Sequence, residues 1–201
     1  QRTLRDQVIV ITGASRGIGL AIAKRCAIDS CKIAILAKTT EPHPTLPGTI
    51  HTAAQEISQI LSRQQGSNSD SVLAIACDVR DEVQVQSAID QIVNKWGRID
   101  ILVNNASAIS LTSMEHIAMK RYDLMHSING RGTFLCSKLA LPHLKKSKNA
   151  HILNMSPPLN MDAKWFENHT AYTMSKYNMS MCTLGLAEEL KPYHIAVNSL
   201  W

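Results

Sequence analysis

The sequence predicts a doubly wound α/β fold, a Rossmann-type parallel sheet of six strands with helices on both faces. Three observations carry this expectation. Strand-like and helix-like segments alternate along the whole chain, the strand segments are short apolar runs, and a glycine-rich turn joins the first strand to the first helix. Alternation of this kind builds a parallel sheet covered on both sides. Right-handed crossovers leave the doubly wound order as the economical topology, with ligands at the carboxyl ends of the strands where the order reverses.

The elements follow in order. Val8–Thr12 (VIVIT) is β-branched and uninterrupted, as a strand buried on both faces should be. A helix opens at Gly17 and carries Ile18, Ala21, Ile22, Ala23 and Cys26, and residues 32–36 form the second strand. Pro42, Pro44 and Pro47 exclude helix or interior strand from the stretch that follows. Ala53, Ile57, Ile60 and Leu61 mark an amphipathic helix, residues 64–71 a polar loop, and Val72–Ala76 the third strand. Val85, Ile89, Ile92, Val93 and Trp96 recur at helical spacing before a stop at Gly97. Residues 101–103, 152–155 and 195–199 are the remaining strands, with helices expected over about 132–144 and 171–190.

Composition bounds the rest. A chain of 201 residues suits one domain and is short for two. Apolar residues make up 45% and charged residues 18%, a globular balance. Lys and Arg number 21 against 16 Asp and Glu, with Lys138, Lys145, Lys146 and Lys148 as the densest cluster. That cluster reads as a solvated helix end. Without interleaved aromatic residues or a recognised module, nucleic acid is not an expected partner. Five cysteines, Cys26, Cys31, Cys77, Cys136 and Cys182, sit in apolar runs without CxxC pairs, which predicts reduced thiols and an intracellular setting. Eight scattered histidines show no metal-binding spacing, so no metal site is expected. No apolar run reaches the length of a membrane span. The chain enters a strand almost at once, so no targeting signal is expected in this stretch.

The chemistry concentrates in the predicted loops. Thr12-Gly13-Ala14-Ser15-Arg16-Gly17-Ile18-Gly19 lies directly between the first strand and helix. There Gly13 permits a tight turn, Gly17 lets the backbone approach a diphosphate, and Gly19 lets the helix pack closely on the sheet. Free N–H groups and the helix dipole attract the phosphate charge. At the end of the second strand stands Leu36-Ala37-Lys38-Thr39-Thr40, with no carboxylate before Glu41. An acid there would grip the ribose hydroxyls of NAD. Lys38, with Arg16 as a second contact, instead suits a 2′-phosphate, so NADP(H) is expected over NAD(H). Tyr172 and Lys176, four residues apart on one predicted helix, project from the same face. A cation beside the phenol favours phenolate and brings an ordinary tyrosine pKa of about 10 toward the working pH, as a proton donor to a carbonyl oxygen requires.

TGASRGIG, Asn104-Asn105-Ala106 and Tyr172-x-x-x-Lys176 occur in the order and at the separations of the short-chain dehydrogenase/reductase family, which the chain resembles from Val8 onward. The resemblance implies an oxidoreductase that interconverts a hydroxyl and a carbonyl on a hydrophobic, lipid-like substrate. It implies that Asp78 and Val79 hold the adenine ring, the Asp side chain accepting from its amino group, and that Asn105 and Ala106 line the cofactor ribose. Lys176 would also hold the nicotinamide ribose, and Asn129 would anchor a water on the proton path. It further implies a homodimer or homotetramer and a peroxisomal or mitochondrial setting. The helix over 171–190, with Met174, Met179, Met181, Cys182, Leu184 and Leu186, carries more apolar surface than one sheet face needs.

Two departures matter. The family places a substrate-binding serine where Pro157 stands, a residue with no side-chain donor, so Ser156 is the candidate that takes its place. The sequence also stops at Trp201, just after the sixth strand, where family members continue with a substrate-covering helix pair and a seventh strand; a C-terminally incomplete single domain is the expectation. Two functional classes therefore stay open, an active oxidoreductase and a cofactor-binding protein with little turnover.

Overall fold

The computed structural model describes residues 4–42, 44, 47–64 and 70–201. Residues 65–69 of the predicted polar loop, and residues 43, 45 and 46 of the proline-containing stretch, lie outside the described residues. The strands are β1 Val8–Thr12, β2 Lys32–Ala37, β3 Val72–Ala76, β4 Ile101–Asn104, β5 His151–Met155 and β6 Ala196–Leu200. They form one parallel sheet in the order β3-β2-β1-β4-β5-β6. This is the doubly wound order, and it reverses between β1 and β4. The loops leaving those two strands therefore flank the crevice where such sheets bind ligands.

The main helices are α1 Gly17–Ile28, α2 Ile50–Leu61, α3 Glu82–Trp96, α4 Met119–Met125, α5 Thr133–Leu144 and α6 Thr170–Glu189. Their ends have local causes. The Asp81 side chain accepts from the Val83 and Gln84 amides to start α3, and Gly97, at φ 79°, ends it in the left-handed conformation. Thr49 and Thr52 form a reciprocal cap on α2.

One helix starts earlier than its sequence suggests. α4, a π-helical turn over His126–Gly132, and α5 run on from one another, so the helix expected from about residue 132 begins at Met119. Asn129, Gly130 and Gly132 are poor helix formers and resemble a break. The wide π turn accommodates them. A Cβ on Gly130 would lie 2.7 Å from Asn178 Cγ, so the approach of this turn to α6 requires glycine.

The sheet divides two apolar cores. Ile9 and Ile11 of β1 face α1 and α2, packing with Ala23, Ala27, Ile50 and Ile57. Val8 and Val10 face the opposite side, with Val85, Ile89, Leu135 and Leu144 of α3 and α5. Beneath β4, buried Asp100 fastens the amino-terminal end of the sheet. Its Oδ2 accepts from the Val8 amide (2.8 Å) and Arg98 Nε (2.8 Å), and its Oδ1 accepts from Ser147 Oγ. Among the described residues, no helix is long and apolar enough to cross a membrane, and no group of three or more His, Cys, Asp or Glu is placed to hold a metal. All five cysteines are free, and only Cys182 is not fully buried.

Candidate functional site

At the switch point the two loops are stitched together. Thr12, the last residue of β1, accepts on Oγ1 from the amides of Asn105 (3.1 Å) and Ala106 (3.0 Å). Asn105 Nδ2 donates back to the carbonyls of Thr12 (2.9 Å) and Gly13 (3.1 Å). The three glycines of the turn differ in what surrounds them. Gly13 and Gly17 take positive φ, 67° and 57°. A Cβ on Gly13 would stand 2.7 Å from Ala106 Cα, and one on Gly19 would stand 2.5 Å from Asn105 Nδ2. Nothing lies within 4 Å of a Cβ built on Gly17, so its face of the turn is open. Ala14 and Ser15 are buried beneath that turn, and Ile18 is exposed at its far side.

From this turn a cavity of about 320 Å³ runs over the ends of β2 and β3, lined by Gly13, Arg16, Lys38, Asp78, Val79 and Asn105 among others. The cations here are partnered. Arg16 Nη2 donates to the Gly48 carbonyl (2.9 Å), while its Nε is buried with no protein partner among the described residues. Lys38 Nζ lies 3.0 Å from Asp78 Oδ2. The same carboxylate is gripped by Arg80, with Nε at 2.9 Å from Oδ1 and Nη2 at 2.6 Å from Oδ2. These bonds, led by the Arg80 fork, hold the Asp78 carboxyl well below the usual carboxylate range. Asp78 therefore enters the site as the anchor of two cations. Arg131 Nη1 donates to the Arg80 carbonyl (2.6 Å) and adds another cation to this rim. A nicotinamide dinucleotide fits these residues: an open glycine turn, a helix start, and basic side chains with N–H groups still to give.

A second cavity, of about 520 Å³, opens over the ends of β5 and β6. Its lining is largely apolar, with Ile18, Leu111, Met155, Pro157, Trp165 and Leu200, and Tyr172 and Lys176 of α6 stand in its wall. Arg16 lines one cavity and Ile18 the other, so the glycine turn lies between them. Lys176 Nζ donates to the Met155 carbonyl (2.5 Å), and burial lowers its pKa to about 8. The phenol of Tyr172 is pushed up by burial, opposite to the lowering that the sequence suggested. The physical reason is that Lys176 points its ammonium at the Met155 carbonyl, so desolvation dominates at the phenol.

Asn129 sits buried in the π turn. It accepts from the Ala108 amide (2.8 Å) and donates to the Ala108 carbonyl (2.9 Å) and Ser175 Oγ (2.9 Å). Its side chain thus ties the loop after β4 to α6, directly beside the Tyr172 carbonyl that Ser175 Oγ bonds.

Ser156 is buried in the cavity wall next to Pro157, its Oγ 2.8 Å from Ser199 Oγ. A polar chain continues inward. Ser199 Oγ donates to Thr183 Oγ1 (2.9 Å), which also accepts from Asn154 Nδ2 (2.9 Å) and donates to the Met179 carbonyl (3.2 Å). Asn154 Oδ1 accepts in turn from Asn104 Nδ2 (2.8 Å). A hydroxyl has one proton. That of Ser199 is committed to Thr183, so Ser199 accepts from Ser156, and Ser156 can offer the cavity only lone pairs.

Thr12, Arg80, Thr183 and Ser199 are site residues that sequence reasoning passed over. Only Thr12 carried a signal, a polar side chain closing an apolar strand. The others matter through partners that the sequence does not pair.

Residues 7–201 match the family model described as short chain dehydrogenase. Hydroxysteroid dehydrogenase-like protein 2 of Danio rerio is 58% identical over 193 residues, covering 96% of this chain and 44% of that protein. The chain thus spans less than half the length of that curated relative. A putative dehydrogenase from Xanthomonas campestris superimposes with a TM-score of 0.93 at 47% identity, covering 100% of this chain and 72% of that one. A short chain dehydrogenase from Mycobacterium thermoresistibile gives 0.92 at 49% identity, with 99% and 68% covered.

Proposed function

This chain belongs to the short chain dehydrogenase family, and we propose that it acts as an NADP(H)-preferring oxidoreductase, interconverting a hydroxyl and a carbonyl on a hydrophobic, lipid-like substrate. The observation that carries the proposal is the placement of Tyr172 and Lys176 in an apolar cavity separated by one glycine turn from a cleft lined by Arg16 and Lys38. A bound nicotinamide supplies or takes up the hydride. The residues of the chain do the rest. Gly17, whose Cβ would meet nothing within 4 Å, would leave room for a diphosphate at the start of α1, and Arg16 and Lys38 of the cleft lining would hold the ribose phosphate. Val79 and Ala106 line the same cleft, as adenine and ribose contacts would.

Tyr172 delivers the proton to the carbonyl oxygen, or removes it in the oxidative direction. Burial penalises the charged forms of both Tyr172 and Lys176. If the Lys176 ammonium turned from the Met155 carbonyl toward the Tyr172 oxygen, an ammonium beside a phenolate would offset both penalties. Asn129 positions α6 through Ser175. The apolar lining of the cavity favours hydrophobic substrates over sugars or small acids. We also infer a homo-oligomer. Phe134, Met181 and Leu184 are 52%, 57% and 63% exposed on α5 and α6, an apolar face that pairing would cover.

The test uses both halves of the site. NADPH should protect the protein against heat more than NADH at equal concentration, and Lys38→Asp should narrow or invert that gap. Tyr172→Phe should cut NADPH-dependent reduction of hydrophobic ketones by about 10² or more while leaving NADPH binding nearly unchanged. Equal protection by the two cofactors would sink the NADP(H) preference, and a silent Tyr172→Phe would sink the catalytic assignment.

One observation favours a second reading, cofactor binding with little turnover. Pro157 offers no donor, and the Ser156 proton is committed to Ser199. On that reading NADPH protects the protein, yet no ketone in a broad hydrophobic panel is reduced.

A further inference from the structure

The substrate cavity holds an acceptor that the proposed reaction does not use. His169 precedes α6, one helical turn before Tyr172, and lines the same cavity. Its Nδ1 lies 3.0 Å from Thr173 Oγ1, and Thr173 Oγ1 donates its own proton to the Trp165 carbonyl (2.8 Å). The hydroxyl has no second proton, so at the contact with His169 it accepts and Nδ1 carries the hydrogen. In the neutral ring Nε2 is then a bare acceptor. Thr173 is buried, so this tautomer is set from beneath by the protein. His169 makes no side-chain capping bond to the α6 amides; the ring is tied to the helix start through Nδ1 and Thr173 alone, which leaves Nε2 uncommitted.

The other polar side chains of the cavity sharpen the point. Ser156 is bonded to Ser199, Lys176 to the Met155 carbonyl, Tyr177 to the Asn160 carbonyl, and Asn160 Oδ1 accepts from the Asp162 amide. The side-chain N–H groups of Asn160 and Trp165 can only donate, so His169 Nε2 is an uncommitted nitrogen acceptor in this wall, beside the phenol of Tyr172. Tyr172 is assigned to the reacting oxygen, which leaves His169 for a different group of the substrate.

We infer that His169 is a specificity-determining residue, whose Nε2 accepts a hydrogen bond from a second hydroxyl of the substrate, one that is not itself oxidised or formed. The proposal rests on the cavity being the substrate site. It narrows the class from hydrophobic alcohols and carbonyls in general to those carrying an additional hydroxyl.

Binding can be read without turnover from the fluorescence of Trp165, which stands half-exposed in the cavity wall. The probes are decan-2-one and the hydroxyketone made by placing one hydroxyl on its terminal methyl group, titrated into the NADPH-loaded protein. The hydroxyketone should bind roughly three- to tenfold more tightly, the usual worth of one added hydrogen bond. His169→Phe keeps a flat ring of similar size and should erase that ratio while retaining the affinity for decan-2-one. His169→Gln, whose amide oxygen can still accept, should recover part of it. A ratio unchanged in His169→Phe overturns the proposal, as does an equal loss for both probes, which would make the residue merely structural. If neither probe binds, the proposal also falls, while protection by NADPH in the same samples reports separately on the cofactor reading.

Discussion

Substituting Gly19 by alanine tests how tightly the two loops at the switch point are stitched. Gly19 is the third residue of α1, and an alanine in a helix gains roughly 1 kcal/mol over glycine, so propensity alone predicts stabilisation. Packing opposes it. The new Cβ would lie 2.5 Å from Asn105 Nδ2, 2.9 Å from the Gly13 carbonyl oxygen and 3.0 Å from Ala14 Cα. Asn105 must leave, and its two bonds to the Thr12 and Gly13 carbonyls go with it, at about 0.5–1.5 kcal/mol each. The remaining backbone contacts cannot swing aside, and overpacking of that kind costs about 1–3 kcal/mol. The balance is a net loss of about 3 kcal/mol, or roughly 6–12 °C in Tm for a chain of this size. Differential scanning calorimetry without cofactor reads it directly. Gly17→Ala is the control, because its Cβ meets nothing within 4 Å. It should cost only the left-handed backbone penalty of about 1–2 kcal/mol, yet weaken NADPH binding at least as much as Gly19→Ala does. Asn105→Ala combined with Gly19→Ala should be milder than the two single losses added, since the clash and the lost bonds share one side chain. A Gly19→Ala protein as stable as its parent would refute the account of the loop clamp.

Two further outcomes are expected. Burial lowers Lys176 from 10.5 to about 8, so between those pH values the unfolded chain binds more protons than the folded one. The penalty is whole below about pH 8 and gone above 10.5, so stability rises with pH across that window; Lys176→Met should remove as much as one proton of slope, about 1.4 kcal/mol per pH unit, in urea titrations at several pH values, and an unchanged slope would count against it. If the protein pairs through the exposed α5–α6 face as proposed, Leu184→Lys places a charge there and should shift the sedimentation distribution toward monomer in analytical ultracentrifugation, whereas an unaltered distribution would count against that face.

The fold was legible because its signals are local. Val8–Thr12 and Val72–Ala76 are short apolar runs between polar or turn-forming stretches, and both strands have the predicted limits. Gly97 ends α3 where a left-handed residue is needed. The helix before residue 132 was not legible, because Asn129 and its neighbouring glycines look like a break unless α6 is known to press against Gly130. The site divides in the same way. The residues of the glycine turn, with Tyr172 and Lys176, announce themselves by spacing within one element. The state of Ser156 depends on Ser199, 43 residues away on another strand, and no spacing rule connects them. Asp78 lies two residues from Arg80, but only the three-dimensional fork shows that its carboxylate is already occupied. The direction of the Tyr172 shift was missed because it depends on where the Lys176 ammonium points.

Asp100 gives the sheet two unlike ends. Its carboxylate holds the Val8 amide, its own amide donates to the Val8 carbonyl, and its carbonyl accepts from the His151 amide, so β1, β4 and β5 are knotted together where they begin. At the other end β1 runs into the short glycine turn, while β4 and β5 finish in the long connections over 105–118 and 156–169, with few backbone ladders to hold them. Local opening therefore has a polarity. Amides at the knotted end should exchange with solvent only on unfolding of the whole domain, and those around the cavities in smaller, cheaper excursions, an order that hydrogen exchange read by mass spectrometry checks. The parts that must admit a cofactor and a substrate can then breathe while the other end stays shut.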